Sequence, residues 1–196
     1  MKNIKSICVF CGSSVGTDQE IPRQAEHLGK RLAEEKITLV YGGSKLGVMG
    51  KVAAGTLAAG GKALGIIPVF LKSKEVVHTG LSELVTTENM HERKMIMQER
   101  SDGFITLPGG FGTLEELFEI ITWAQLGLHN KPIGLLNING FYNDLIRLLK
   151  NMVEKGFLKP DNFELLMVEE DVDRLLEKMR DYTPKDFTKT IQSEQT

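Results

Sequence analysis

The chain has 196 residues, of which 26% are charged and 41% hydrophobic, with a formal net charge of −2. That length suits one domain with a full core, expected over residues 1–182 and followed by a polar tail at 183–196. The near-neutral balance, with Lys and Arg spread along the chain, argues against a nucleic-acid partner, which calls for basic residues gathered on one face.

No run approaches the roughly 18 apolar residues of a membrane span, so no membrane partner is expected. Met1-Lys2-Asn3-Ile4-Lys5 carries no signal-peptide pattern. Cys8 and Cys11 are the only cysteines. Their C-x-x-C spacing falls on a strand, where residues three apart face opposite ways with Cα atoms about 10 Å apart, too far for a disulfide. Two thiols and four scattered histidines make a poor metal site. We expect core thiols, no metal, no cofactor and a reducing cytoplasmic location.

In chain order, short apolar runs alternate with longer amphipathic ones. Ile7 to Cys11 reads as a first strand. Ile21 to Glu35 reads as a helix, with Pro22 in its first turn and Ala25, Leu28 and Leu32 at helical spacing. Thr38 to Tyr41 is a second strand, Val48 to Ala59 a helix of small residues, and Ala63 to Ile67 a third strand stopped by Pro68. Leu84 to Thr86 is a weak fourth strand, and Met90 to Arg100 a helix. Gly103 to Leu107, Thr113 to Leu126 and Ile133 to Leu136 follow as strand, helix and strand. Helices at Phe141 to Lys155 and Asp171 to Arg180 flank a short strand at Leu165 to Val168. Alternation of this kind gives a Rossmann-like three-layer α/β/α fold around a parallel sheet of six or seven strands.

Three strands run into glycine-rich turns: Cys11-Gly12-Ser13-Ser14, Tyr41-Gly42-Gly43-Ser44-Lys45-Leu46-Gly47, and Leu107-Pro108-Gly109-Gly110-Phe111-Gly112-Thr113. Ligands of open parallel sheets bind beyond the carboxyl ends of the strands. Glycine there lets backbone approach the ligand and point N–H groups at an anion. A single such turn means little, but three together indicate a phosphate or nucleotide site. Neither G-x-x-x-x-G-K-[ST] nor G-x-G-x-x-G is present, since Glu115 stands where the last glycine of the second pattern would fall. A P-loop phosphotransferase and a dinucleotide dehydrogenase are both disfavoured.

The third turn opens a helix whose N-terminus favours an anion. Leu114, Leu117, Phe118 and Ile121 are expected on its buried stripe, with Glu115, Glu116 and Glu119 off it. Carboxylates beside an anion site suggest chemistry. Equally, Thr113 and Glu116 fit a capping box, in which the glutamate bonds back to the cap, and spacing alone leaves both readings open. Arg93 and Lys94 place two cations near a helix start, either to meet an anion or as a solvated face. Met90, Met95 and Met97 read as core or subunit-interface filler.

Pro108-Gly109-Gly110-Phe111-Gly112-Thr113-Leu114-Glu115-Glu116 fits the P-G-G-x-G-T-x-x-E signature of the lonely-guy (LOG) family, which this sequence resembles over residues 4 to 180. Glu92-Arg93-Lys94 and Tyr41-Gly42-Gly43 are similar to that family as well. The resemblance implies a homodimer that hydrolyses a nucleoside 5′-monophosphate, adenosine monophosphate or its N6-modified cytokinin form, to free base and ribose 5-phosphate. It places the catalytic arginine and glutamate at Arg93 and Glu116. The expected substrate-binding residues are Gly12, Ser13, Gly42, Gly43, Met90, Lys94, Gly109, Gly110, Gly112 and Thr113. An older lysine decarboxylase label for the family finds no support, because a pyridoxal enzyme needs a cofactor-bearing lysine in a dedicated scaffold. The alternative is a non-catalytic nucleotide-binding or carrier protein using the same loops.

Overall fold

The structure, a computed structural model, describes residues 4–72 and 76–184. Of the expected tail, residues 185–196 lie outside the described ones. Seven strands form one sheet: β1 (Ser6–Phe10), β2 (Thr38–Tyr41), β3 (Ala63–Pro68), β4 (Glu83–Thr87), β5 (Gly103–Thr106), β6 (Ile133–Leu136) and β7 (Leu166–Glu169). All pair in parallel, in the order β4-β3-β2-β1-β5-β6-β7. The helices are α1 (Glu20–Glu34), α2 (Gly47–Ala58), α3 (Val69–Lys72), α4 (Met90–Glu99), α5 (Phe111–Gln125), α6 (Asn143–Glu154), α7 (Pro160–Phe163) and α8 (Val172–Asp181). Among the described residues no helix is long and apolar enough to cross a membrane.

Strand alternation divides the core into two layers. Ile7 and Val9 of β1 face one side, packed with Leu28 and Leu32 of α1, Val52 of α2 and Leu175 of α8. Cys8 and Phe10 face the other, packed with Met97 of α4, Leu117 and Ile120 of α5 and Leu149 of α6. Cys8 and Cys11 are free, buried thiols on opposite layers, as expected. Burial raises both above the usual thiol range, so they are inert at neutral pH.

The strand order sets the site. From β1 the chain winds outward through β2, β3 and β4, then returns to lay β5 against the other edge of β1 and winds out through β6 and β7. The reversal opens a crevice between the carboxyl ends of β1 and β5, where open α/β sheets bind ligands. The glycine turns after β1 and β5 meet there, with the Gly12 amide donating to the Pro108 carbonyl at 3.1 Å.

One expectation requires correction. Helix α5 begins at Phe111 with Gly110 as its N-cap, two residues earlier than the sequence suggests. Thr113 therefore sits at the third helical position and Glu116 well inside the helix, so the two cannot form a capping box. The buried stripe also differs from the expected one and runs through Thr113, Leu117, Ile120 and Ala124. Leu114 and Ile121 are only partly buried, and Phe118 is exposed.

Candidate active site

The crevice holds a cleft of about 320 Å³ walled by the Gly12–Gly16 turn, the Pro108–Gly110 turn, Ile21, Val48 and Phe141. Four of the expected residues, Gly12, Ser13, Gly109 and Gly110, line it. Val48 and Phe141 were not foreseen, because an isolated apolar residue in a loop or a first helical turn carries no signal of its own.

Gly109 cannot be any other residue without rearrangement. A Cβ there would lie 2.1 Å from the Thr113 Oγ1 and 2.8 Å from the Gly12 nitrogen. The turn is that tight because the chain must pass from β5 into α5 directly over the end of β1. It is held from below by Tyr142, whose buried hydroxyl donates to the Leu107 carbonyl at 2.8 Å. Around Gly110 and Gly112 there is open space. No side chain caps α5, and its first turn carries no acidic residue. The leading N–H groups of a helix have no intrahelical acceptor, so this terminus offers donors and a positive dipole end to an anion.

Arg93 and Glu116 do not line the cleft; they come from α4 and α5, which pack on the other face of the sheet. Helix α4 is placed by Asn89, whose Oδ1 accepts the Glu92 amide at 3.0 Å, while the Glu92 carboxylate accepts the Glu88 amide at 2.8 Å. That arrangement carries Arg93 against the turn after β2. A Cβ on Gly42 would fall 2.3 Å from the Arg93 Nη2 and 2.8 Å from the Met49 Sδ. Arg93 is 6% exposed, touches Met90 through its Nη1 at 3.8 Å, and its Nε–H has no acceptor. Such a buried, unsatisfied guanidinium donor is costly unless a ligand takes it up.

Glu116 is half-buried, and among the described residues no hydrogen bond or ion pair engages its carboxyl. Burial pushes it up to about 7; Arg93 and Lys94 pull it down, while Glu115 and Glu119 add to the rise. A carboxyl that titrates near neutrality, beside a buried arginine and free of partners, is suited to give or take a proton.

The remaining expected residues divide. Gly43 adopts φ +78° and turns the chain, its carbonyl accepting the His78 amide. Ser13 is exposed at the cleft mouth, and its backbone abuts Gly47. Met90 lies beside Arg93. Lys94 is buried and bound to two carboxylates, Glu115 at 2.5 Å and Glu119 at 2.9 Å. Among the described residues no group of His, Cys, Asp and Glu gathers as a metal site would require.

A family model described as "Possible lysine decarboxylase" matches residues 49–179. The chain is 43% identical over 181 residues to the cytokinin riboside 5′-monophosphate phosphoribohydrolase LOG1 of Arabidopsis thaliana, covering 92% of this chain and 85% of that protein. It is 44% identical over 180 residues to LOG5 of the same plant, covering 92% and 79%. Among solved structures, the molybdenum cofactor carrier protein of Chlamydomonas reinhardtii superimposes with a TM-score of 0.69 at 21% identity, over 90% of this chain and 98% of that one, a likeness of fold alone. With its nine-residue glycine signature at the switch point of the sheet, the chain belongs to the LOG family, the family described as possible lysine decarboxylase.

Proposed function

We propose that this protein is a phosphoribohydrolase: it hydrolyses a nucleoside 5′-monophosphate, adenosine monophosphate or an N6-modified form, to free base and ribose 5-phosphate. The observation that carries the reading is the unpartnered Glu116 carboxyl, held near neutral titration beside the buried Arg93. A protein that only binds a nucleotide gains nothing from a desolvated carboxyl near a phosphate, where it repels the ligand.

In this reading the phosphate lies on the N-terminus of α5, against Gly109, Gly110, Gly112 and Thr113, with Gly12 and Ser13 across the crevice. Arg93 meets the anion or the leaving base through the donors that have no protein partner. Cleavage of the N-glycosidic bond leaves positive charge on the ribosyl carbon. Ionised Glu116 stabilises that charge and takes the proton of the attacking water; the departing base gains a proton in turn. Water and nucleotide balance base and ribose 5-phosphate with no metal step required.

We infer also that the protein works as a homodimer in the cytoplasm. Phe111 is 94% exposed, and Phe118 and Met95 also stand clear of the core, leaving apolar surface on α4 and α5 that a second copy would cover. Incubation with adenosine monophosphate tests the activity by release of free adenine. Binding without release would favour the carrier alternative, and sedimentation as a monomer at micromolar concentration would refute the dimer.

A further inference from the structure

Between β6 and α6 the chain makes a single 3₁₀ turn, Ile138–Gly140. Asn137, at its head, is buried and fully engaged. Its amide donates to the Glu169 carbonyl at 2.7 Å, its Oδ1 accepts the Tyr142 amide at 2.7 Å, and its Nδ2 donates to the Asn143 Oδ1 at 2.8 Å. Asn139 stands at φ +49°, a left-handed conformation that asparagine tolerates, and its Nδ2 donates to the Asp18 carboxylate at 2.9 Å. The turn is thus tied to β7 on one side and to the chain entering α1 on the other. Two consecutive aromatic residues follow it, their rings edge to face with centroids 4.8 Å apart. Phe141 stands in the cleft wall, and Tyr142 is buried beneath it.

The regular pairing of β5 stops at Thr106, opposite Phe10 on one side and Leu135 on the other. Leu107, the next residue, is fully buried, so its carbonyl lies past the ladder and away from water and needs a donor of its own. The Tyr142 hydroxyl is that donor, at 2.8 Å. Burial holds this hydroxyl well above the usual phenol range, and the Gly109 amide, which bonds the same oxygen, only tempers the rise, so the donated proton stays in place. The next carbonyl, that of Pro108, accepts the Gly12 amide. The two carbonyls before Gly109 are therefore fixed from opposite sides of β5, and with them the direction in which α5 departs. We propose that Tyr142 is a positioning residue for phosphate binding: through the Leu107 carbonyl it aims the leading amides of α5, from Phe111 to Thr113, at the 5′-phosphate, without itself touching the substrate. The inference rests on the phosphoribohydrolase reading and deepens it.

The test uses Tyr142→Phe, which keeps the buried ring and removes only the hydroxyl. Calorimetric titration with inorganic phosphate and adenine release from adenosine monophosphate are measured on one preparation. Affinity for phosphate is expected to fall about tenfold, the scale of one hydrogen bond to a charged oxygen. KM is expected to rise by a similar factor with kcat within about threefold of the parent, the mark of binding lost equally in the ground and transition states. A hydroxyl with a merely structural role would lower the melting temperature and leave the phosphate affinity of the folded protein unchanged. If Tyr142→Phe does not fold, Asn143→Ala, at an exposed position, removes the acceptor that steadies Asn137 and is expected to weaken phosphate binding about threefold or more. Phosphate affinity equal to the parent's, a loss of kcat with KM kept, or a parent protein that binds no phosphate overturns the proposal. If the parent releases no adenine, the phosphoribohydrolase reading falls, while the titration with inorganic phosphate still decides the role of Tyr142.

Discussion

Replacing Glu116 by glutamine separates a structural carboxyl from a chemical one, because the two properties move in opposite directions. The folded protein holds the Glu116 proton between the ordinary value of 4.5 and about 7, whereas the unfolded chain releases it. Stability therefore falls as pH rises through that window and is level above it. At 1.36 kcal/mol per pH unit, ionising this carboxyl in the folded state costs about 3 kcal/mol above pH 7, an upper bound because the half-buried side chain keeps some water. Glutamine has no such cost. Glu116→Gln is expected to melt higher than the parent at pH 8, by as much as about 5–10 °C for a chain of this size, and to match it near pH 4. The same change removes the base and the negative charge facing the ribosyl cation, and is expected to slow hydrolysis at least about 100-fold while nucleotide binding survives. Differential scanning calorimetry at both pH values and adenine release at pH 8, on one preparation, read both effects. Turnover within a few-fold of the parent would refute the catalytic role, and equal melting at pH 8 would refute the buried, partnerless carboxyl.

Further outcomes follow from the same geometry. Arg93→Ala is expected to weaken adenosine monophosphate binding by a few kcal/mol, as loss of a buried charged partner does, and to abolish measurable turnover; retained affinity in calorimetric titration would make Arg93 a structural cation. Gly42→Ala places a methyl 2.3 Å from the Arg93 Nη2 and is expected to reduce activity about tenfold or more by moving that side chain, read as kcat/KM. Gly110→Ala meets no protein atom within 4 Å, so it is expected to melt like the parent yet to lose inhibition by inorganic phosphate; unchanged inhibition would place the anion elsewhere.

Much of this was legible in the residue order, and the reasons are specific. Strands buried on both faces, such as Ile7 to Phe10, read as continuous apolar runs. Edge strand β4 did not, because only its last residue is buried, and a short exposed strand leaves little pattern. The glycine turns announced the crevice because tight strand-to-helix passages restrict residue type. The start of α5 was misplaced, since Thr113 has the chemistry of a cap, whereas the cap in the folded chain is Gly110, which has no side chain to signal it. The tie from Lys94 to Glu115 and Glu119 was hidden for another reason: it joins two helices about 20 residues apart, and no local spacing encodes it. Tyr142 beneath the Leu107 carbonyl is longer in range still.

The measurement that bears most directly on the account is product analysis with adenosine monophosphate as the only substrate and no added metal or cofactor. The account predicts free adenine and ribose 5-phosphate in equal amounts from the parent protein, and from Glu116→Gln both at least about 100-fold more slowly. Intact nucleotide bound stoichiometrically to the parent, with neither product formed from it or from its N6-prenylated form, would contradict it.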